Sequence, residues 1–131
     1  MPVPETGQTD TFTREFTTDD VRQFADVSAD TGSHHEEPDD DGRLLVHGLL
    51  TATLPTKIGG DYDVLADRMS FEFPRPVYTG ETVTCEVTFH TVEPTDSGHR
   101  VAADGVCRNG ADEVVLRFEF GGIVRGADGD D

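Results

Sequence analysis

Residues 44–58 constrain the fold of this chain more than any other segment. Their apolar side chains leave no continuous polar face, so a helix built from them must be enclosed on most sides. These apolar residues are Leu44, Leu45, Val46, Leu49, Leu50, Ala52, Leu54 and Ile58. Gly59 and Gly60 predict the end of the helix, and Pro55 predicts a kink or a tightened last turn. The rest of the chain therefore has to wrap around this helix.

After residue 60 the apolar period changes from that of a helix to that of a strand. Alternating segments follow at residues 65–73, 83–89, 101–107 and 114–120, and Asn109-Gly110 marks a hairpin before the last of them. A strand near Phe12 and a helix from about Thr17 to Ala29 come first. One sheet with an apolar face and one enclosed helix pack simply if the sheet curls around the helix. We therefore predict an α+β fold with an exposed sheet edge that favours a homodimer or higher homo-oligomer.

Length and charge limit the organisation and the partners. The chain has 131 residues, with 27 acidic against 10 basic residues and a formal net charge of −17. We predict a flexible N-terminal arm over residues 1–10, one domain over 11–124 and an acidic flexible tail over 125–131. The acidic excess is typical of proteins from the salt-rich cytoplasm of halophiles; the alternative is an ordinary acidic protein. No basic stripe is present to bind nucleic acid.

The sequence also predicts the compartment and the state of the cysteines. No apolar run approaches about 20 residues, and no basic region followed by an apolar one opens the chain. We therefore expect a soluble cytoplasmic protein without membrane contact. Cys85 and Cys107 both fall in strand-like segments, and we expect two buried thiols rather than a disulfide.

Residues 31–42 contain the candidate chemistry. This stretch has no apolar residue and is predicted to be a solvated loop. Asp30 comes directly before it, and His35 lies within it. A carboxylate and an imidazole beside an apolar slot suit proton transfer on an apolar substrate. His34 is predicted to be a solvated neighbour. The nearby acidic residues are typical of a solvated loop, and adjacent histidines point in different directions, so we predict no metal site.

Three motifs carry a resemblance to a known family. Phe24-Ala-Asp-Val-Ser-Ala-Asp30, with His35 five residues later, resembles the active-site motif of the MaoC-like (R)-specific enoyl-CoA hydratases. Val46-His-Gly-Leu-Leu-Thr-Ala-Thr53 resembles their central-helix motif, and Phe73-Pro-Arg-Pro-Val-Tyr-Thr-Gly-Glu81 resembles the turn between their first two strands after the helix. The resemblance implies the hot-dog fold, an antiparallel sheet wrapped around a central buried helix. It also implies a lyase that adds water to trans-2-enoyl thioesters to give (R)-3-hydroxyacyl thioesters, or the reverse.

The resemblance assigns roles by position. It makes Asp30 and His35 the catalytic pair that holds and activates one water, and the backbone amides of Gly48 and Leu49 the donors to the thioester carbonyl. The substrate is a coenzyme A or carrier-protein thioester, with no further cofactor. The chain has Gly32-Ser33 where the family commonly has Asn-Pro, which leaves the loop less rigid.

Five further residues are candidates for substrate binding. His47 is either a histidine that is hydrogen-bonded to the backbone at the helix start or a binding residue, and Thr53 takes the place of a serine in many relatives. The guanidinium groups of Arg43 and Arg75, and also of Arg100, suit the phosphates of the substrate. The alternative is that these arginines pair with nearby acids.

Two other functions remain open from the sequence. Hot-dog thioesterases usually carry a carboxylate on the buried helix or a facing strand, whereas residues 44–58 contain no acidic residue. A hydratase-like module that binds acyl thioesters without turnover is the other alternative, and Gly32-Ser33 favours it.

Overall fold

A computed structural model of the chain describes residues 3–126. Its elements in chain order are β1 (Thr9–Glu15), α1 (Thr18–Ser28), α2 (Ser33–Glu36), α3 (Gly48–Thr51), α4 (Thr53–Asp61), β2 (Leu65–Glu72), β3 (Thr82–Thr95), β4 (Gly98–Arg108) and β5 (Val114–Arg125). The strands form one five-stranded sheet in the order β1-β3-β4-β5-β2, and every neighbouring pair is antiparallel. The predicted α+β hot-dog fold is confirmed.

The alternation of apolar residues along the strands builds the core. In β3, Val83, Cys85, Val87 and Phe89 are all completely buried, while Glu86 and other residues between them are not. Successive side chains of a strand point to opposite faces, so one face of the sheet is apolar. Leu54 and Ile58 of α4 belong to the same buried cluster, and α4 lies against β1 and β3. The sheet therefore encloses the helix, as the apolar segment requires.

The enclosed helix begins later than predicted. Residues 44–47 are extended, Leu45 forms a bridge with Tyr78, and the Val46 N–H donates to the Val77 carbonyl over 2.8 Å. This pairing satisfies backbone groups that a helix would otherwise use, and α3 starts only at Gly48. The prediction of a helix from Leu44 was therefore wrong.

The end of the enclosed helix also differs from the prediction. Gly59 and Gly60 lie in the last turn of α4, which ends at Asp61. Pro55 occupies the first turn of α4, where the missing N–H removes no bond within that helix. The irregularity comes at Ala52, between α3 and α4. Pro55 thus lies in the first turn of a second helical segment, one turn after the break at Ala52.

The helix predicted from about Thr17 to Ala29 is confirmed as α1, which leads into the polar stretch after Asp30. Thr17 and Asp20 form a reciprocal capping box, with the Asp20 N–H donating to Thr17 Oγ1 and the Thr17 N–H donating to Asp20 Oδ2. The hydrogen bond from the Thr17 N–H lowers the pKa of Asp20. Ala29 ends the helix in the left-handed conformation, with a φ of 62°. This reversal turns the chain into the loop at Asp30.

The two ends of the chain are partly tied to the sheet. Within the predicted flexible arm, strand β1 starts at Thr9, and the Gly7 N–H donates to the Phe89 carbonyl. At the other end Arg125 belongs to β5, and the Gly126 N–H donates to the Ser97 carbonyl. The remainder of the predicted acidic tail, residues 127–131, lies outside the described residues, as do residues 1–2.

Cys85 and Cys107 face each other across β3 and β4 as free, buried thiols. A hydrogen bond with Cys107, together with burial, raises the pKa of the Cys85 thiol, so it stays protonated and inert. Among residues 3–126, no helix is long and apolar enough to cross a membrane.

Truncation of Phe89 tests the account of the core. The ring is completely buried and makes edge-to-face contacts with Tyr62 and Phe120, at centroid distances of 5.3 and 6.2 Å. We expect Phe89→Ala to lower the free energy of unfolding by about 3–5 kcal/mol, because it leaves a cavity in the core. Urea unfolding in concentrated salt measures the change. The control Val27→Ala, at a side chain 86% exposed, should change it by less than about 0.5 kcal/mol; equal effects of the two variants would contradict the account.

Candidate active site

The polar stretch after Asp30 is not the fully solvated loop that was predicted. It contains the short helix α2, and His35 on this helix is only 5% exposed. The burial is a tertiary effect, because the extended residues 44–47 run alongside α2 and the Leu45 N–H donates to the His34 carbonyl over 3.0 Å. A stretch without apolar residues thus places one imidazole in the protein interior.

The orientation of the His35 ring is fixed by the backbone. Its Nδ1 lies 2.7 Å from the Leu45 carbonyl oxygen. A carbonyl oxygen only accepts hydrogen bonds, so Nδ1 carries the proton. In the neutral ring Nε2 then has a free lone pair, and this atom lies 3.7 Å from Asp30 Oδ2. The two candidate catalytic residues are therefore brought together.

Asp30 presents its carboxylate towards solvent and towards His35. The side chain is 57% exposed, and its Oδ1 accepts the Gly32 N–H over 3.3 Å. A separation of 3.7 Å between Asp30 Oδ2 and His35 Nε2 is too long for a direct hydrogen bond. Both atoms are acceptors while the ring is neutral, so a water molecule between them can donate one O–H to each. The geometry is suited to holding a water molecule.

His47 packs directly behind this pair. It is 2% exposed, and its ring is stacked on the His35 ring with a centroid distance of 3.6 Å and an interplanar angle of 14°. Its Nε2 lies 3.0 Å from the Asp30 carbonyl oxygen, whereas its buried Nδ1 has no hydrogen-bond partner. Phe24 lies 4.9 Å from the same ring. The structure thus places His47 behind the candidate pair of Asp30 and His35, hydrogen-bonded to the backbone and outside the pocket lining.

Asp30, His35 and His47 each offer a possible ligand atom, all within 4.8 Å of one another. A metal ion binds imidazole in the plane of the ring at about 2.0–2.1 Å. The nearly parallel rings of His35 and His47 keep their lone pairs in separate planes, so both nitrogens cannot reach one ion at that distance. The three residues are a poor fit for a metal centre.

A pocket of ≈ 390 Å³ opens beside the pair. His34 and His35 line one side, Arg75 lies at the wall, and Thr51, Val77 and Val115 supply buried surface. A larger depression of ≈ 470 Å³ lies on the sheet around Asp104, Gly105 and Glu119, away from Asp30 and His35. The smaller pocket combines an apolar slot with titratable groups, so it is the candidate substrate site.

Gly48 forms the start of α3 at the edge of this pocket. A Cβ at this position would lie 3.0 Å from Cε1 of Phe73, so glycine lets the Phe73 ring lie against the backbone. The first amides of a helix have no acceptor within the helix. The N–H groups of Gly48 and Leu49 are such amides, and the Leu49 side chain is 62% exposed.

Two threonines of the enclosed helix differ in their position relative to the pocket. The Thr53 hydroxyl donates to the Leu50 carbonyl over 2.6 Å and does not line the pocket. Thr51, which is 2% exposed, lines it instead. Sequence reasoning missed Thr51 because only Thr53 occupies the motif position that the resemblance marks.

The predicted phosphate-binding arginines separate into two kinds. Arg43 is held by Asp39 at 3.0 Å and lies over the Tyr78 ring at 4.0 Å; its hydrogen bond to the Asp39 side chain raises the pKa of Arg43. Arg75 lines the pocket, and its ion pair with Glu113 is longer, at 3.5 Å. Only Arg75 of these two lies at the candidate site.

Arg100 lies elsewhere, on β4. It forms two hydrogen bonds with the Asp67 carboxylate, at 2.6 and 2.9 Å, and these bonds raise the pKa of Arg100. This pairing matches the alternative in which an arginine binds a nearby acid.

The tautomer of His35 tests the arrangement of the pair. At a pH where the His35 ring is neutral, we expect ¹⁵N NMR to show it protonated on Nδ1 and unprotonated on Nε2, because only Nδ1 faces a carbonyl oxygen. The opposite tautomer would mean that Nε2 is not free to accept a hydrogen bond from water. His90, whose Nε2 lies 2.6 Å from Asp104 Oδ1 on the surface, provides the comparison: we expect Nε2 to carry its proton.

The sequence matches no protein-family model and no curated protein. Solved structures are similar in fold. An (R)-hydratase from A. caviae involved in PHA biosynthesis is 24% identical, with a TM-score of 0.79 over 90% of this chain and 95% of that one. A MaoC-like dehydratase from Rhodospirillum rubrum is 16% identical, with a TM-score of 0.71 over 93% of each chain.

A third structure, a protein from Streptococcus mutans bound to acetyl CoA, is 16% identical, with a TM-score of 0.62 over 95% of this chain and 86% of that one. Two of these three neighbours are a hydratase and a dehydratase of the kind that the motifs resemble. The chain therefore has the hot-dog fold of these neighbours, which is the fold that the resemblance implies.

Proposed function

We propose that the protein is a hydratase or dehydratase, a lyase that adds water to trans-2-enoyl thioesters to give (R)-3-hydroxyacyl thioesters, or catalyses the reverse reaction. The observation that supports it most is the His35–Asp30 pair, whose facing atoms are 3.7 Å apart beside an apolar pocket. The structural neighbours include an (R)-hydratase and a MaoC-like dehydratase, which supports the same activity.

The pair is arranged to activate one water molecule. Asp30 accepts a proton from the water while the water oxygen forms a bond to C3 of the substrate, and His35 Nε2 holds the second O–H. The electrons of the C2–C3 double bond move towards the thioester carbonyl. The proton on Asp30 then passes to C2, which restores the carboxylate and completes the addition of water. Dehydration follows the same steps in reverse.

Negative charge develops on the thioester carbonyl oxygen during this addition. Donors aimed at that oxygen stabilise the transition state more than the substrate. The backbone N–H groups of Gly48, which lines the pocket, and of Leu49, the next residue, have no acceptor within the helix, so they suit this role.

The substrate class follows from the pocket and its charge. The apolar surface of Val77 and Val115 suits the acyl chain, and Arg75 at the pocket wall suits a phosphate of the pantetheine carrier. Coenzyme A and acyl-carrier-protein thioesters share this chemistry, and one structural neighbour is bound to acetyl CoA. No further cofactor enters the proposed reaction.

Loss of either member of the pair should abolish hydration. We expect Asp30→Asn and His35→Ala to lower kcat for crotonyl-CoA by at least about 100-fold, since each removes a proton-transfer or water-binding group. The assay follows crotonyl-CoA and its hydroxyacyl product in concentrated salt, and circular dichroism checks the fold.

His90→Ala, which removes an exposed imidazole with its own acidic partner, is the matched control and should keep full activity. Full activity in Asp30→Asn or His35→Ala would contradict the proposal. Release of free coenzyme A without a hydroxyacyl product would instead indicate a thioesterase, and binding without turnover would indicate a non-catalytic module.

We also propose a homodimer formed through the edge of β2. Within the described residues β2 pairs only with β5, so its other edge is open, and Leu65 and Met69 on it are 57% and 45% exposed. An open edge with exposed apolar side chains is typical of a surface that pairs with another strand. Phe73, just after β2, is 47% exposed and lines the pocket, which brings this edge close to the site.

Light scattering coupled to size exclusion tests the dimer. We expect the mass of two chains for the wild type and of one chain for the double variant Leu65→Asp, Met69→Asp, because the charges repel across the paired edges. Val27→Asp, at an exposed position of α1, should remain dimeric. A monomeric wild type, or an unaltered mass for the double variant, would contradict this interface.

A further inference from the structure

We propose that His47 is a positioning residue for the hydration reaction, and this inference rests on the proposed function. His47 does not line the pocket, so it acts through its contacts with Asp30 and His35. It holds the main chain of Asp30 by a hydrogen bond and supports the ring of His35 by stacking.

Asp30 needs such support because its other hydrogen bonds are local. Its N–H donates to the Ser28 hydroxyl over 3.1 Å, and its carboxylate accepts the Gly32 N–H, each only two residues away. Among residues 3–126, the hydrogen bond from His47 is the one that connects Asp30 to a distant part of the chain. The loop also lacks a proline between Asp30 and His35 to restrict it. His47 therefore supplies the constraint that fixes where the carboxylate lies.

The state of the His47 nitrogens supports this role. Nε2 faces a carbonyl oxygen and must carry the proton, which leaves Nδ1 as a buried acceptor without a partner. A buried polar atom without a hydrogen bond destabilises a protein, and an apolar residue at this position would avoid that. The hydrogen bond that His47 Nε2 donates to the Asp30 carbonyl explains why a histidine occupies this position.

Stacking adds a second, weaker constraint. The His47 ring lies between Phe24 and His35, so it fills the space behind the catalytic imidazole. His35 is already oriented by its own hydrogen bond to the Leu45 carbonyl. Loss of the stack should therefore matter less than loss of the hydrogen bond to Asp30.

Two substitutions separate the two contacts. His47→Gln keeps an N–H donor near the position of Nε2 and loses the stacked ring, whereas His47→Phe keeps a ring and loses the donor. We expect kcat for crotonyl-CoA to fall by about 10- to 100-fold in His47→Phe and by no more than about 3-fold in His47→Gln, with KM within about 2-fold in both, because small displacements of a catalytic group have large effects on rate. The same substitutions at His99, whose Nδ1 is also buried without a partner, serve as controls and should leave kcat unchanged.

Two measurements without substrate keep the test independent of the proposed function. We expect ¹⁵N NMR of the wild type to show His47 protonated on Nε2, and amide hydrogen exchange at Gly32 and His35 to be faster in His47→Phe than in His47→Gln. An Nδ1-protonated His47, equal exchange in the two variants, or equal kcat in them would overturn the positioning role. An inactive wild type that shows the expected tautomer and exchange would overturn the proposed function and leave His47 as the support of the loop.

Discussion

The candidate site depends on the hydrogen bonds of one short extended segment, residues 44–47. On one side Leu44 exchanges hydrogen bonds with Thr79, its N–H donating to the hydroxyl over 3.0 Å and its carbonyl accepting the Thr79 N–H over 2.9 Å. On the other side Leu45 donates to the His34 carbonyl and accepts from His35 Nδ1. The segment therefore connects the chain before β3 to the helix that carries His35. Without this segment, the His35 imidazole would be buried without its hydrogen bond, at a cost in free energy.

The overall fold could be predicted because its causes are local and periodic. The alternation of Val83, Cys85, Val87 and Phe89 fixes which face of β3 is buried, and the Thr17 capping box fixes the start of α1. The apolar content around Leu54 requires an enclosed helix whatever its exact start. These features need no knowledge of distant residues, and the structure has all of them.

The parts that the sequence did not predict depend on contacts between distant segments. The late start of α3 at Gly48 follows from backbone pairing with Val77, which no local pattern shows. Thr51 lines the pocket, whereas Thr53, at the position marked by the family motif, does not. Asp30 and His35 stood out as a carboxylate and an imidazole in one polar stretch, and the family motif then assigned them a role. The stack of His47 on His35 had no sequence signal. The adaptation to salt inferred from a net charge of −17 stays a prediction.

In the proposed reaction, Asp30 and His35 direct one water molecule to C3 of an enoyl thioester. Mass spectrometry of the product formed from crotonyl-CoA in H₂¹⁸O, combined with chiral separation, tests it most directly. We expect (R)-3-hydroxybutyryl-CoA with one ¹⁸O on the C3 hydroxyl and an intact thioester. Free carboxylic acid that carries ¹⁸O in its carboxyl group, with no hydroxyacyl product, would contradict it, because water would then have attacked the thioester carbonyl instead.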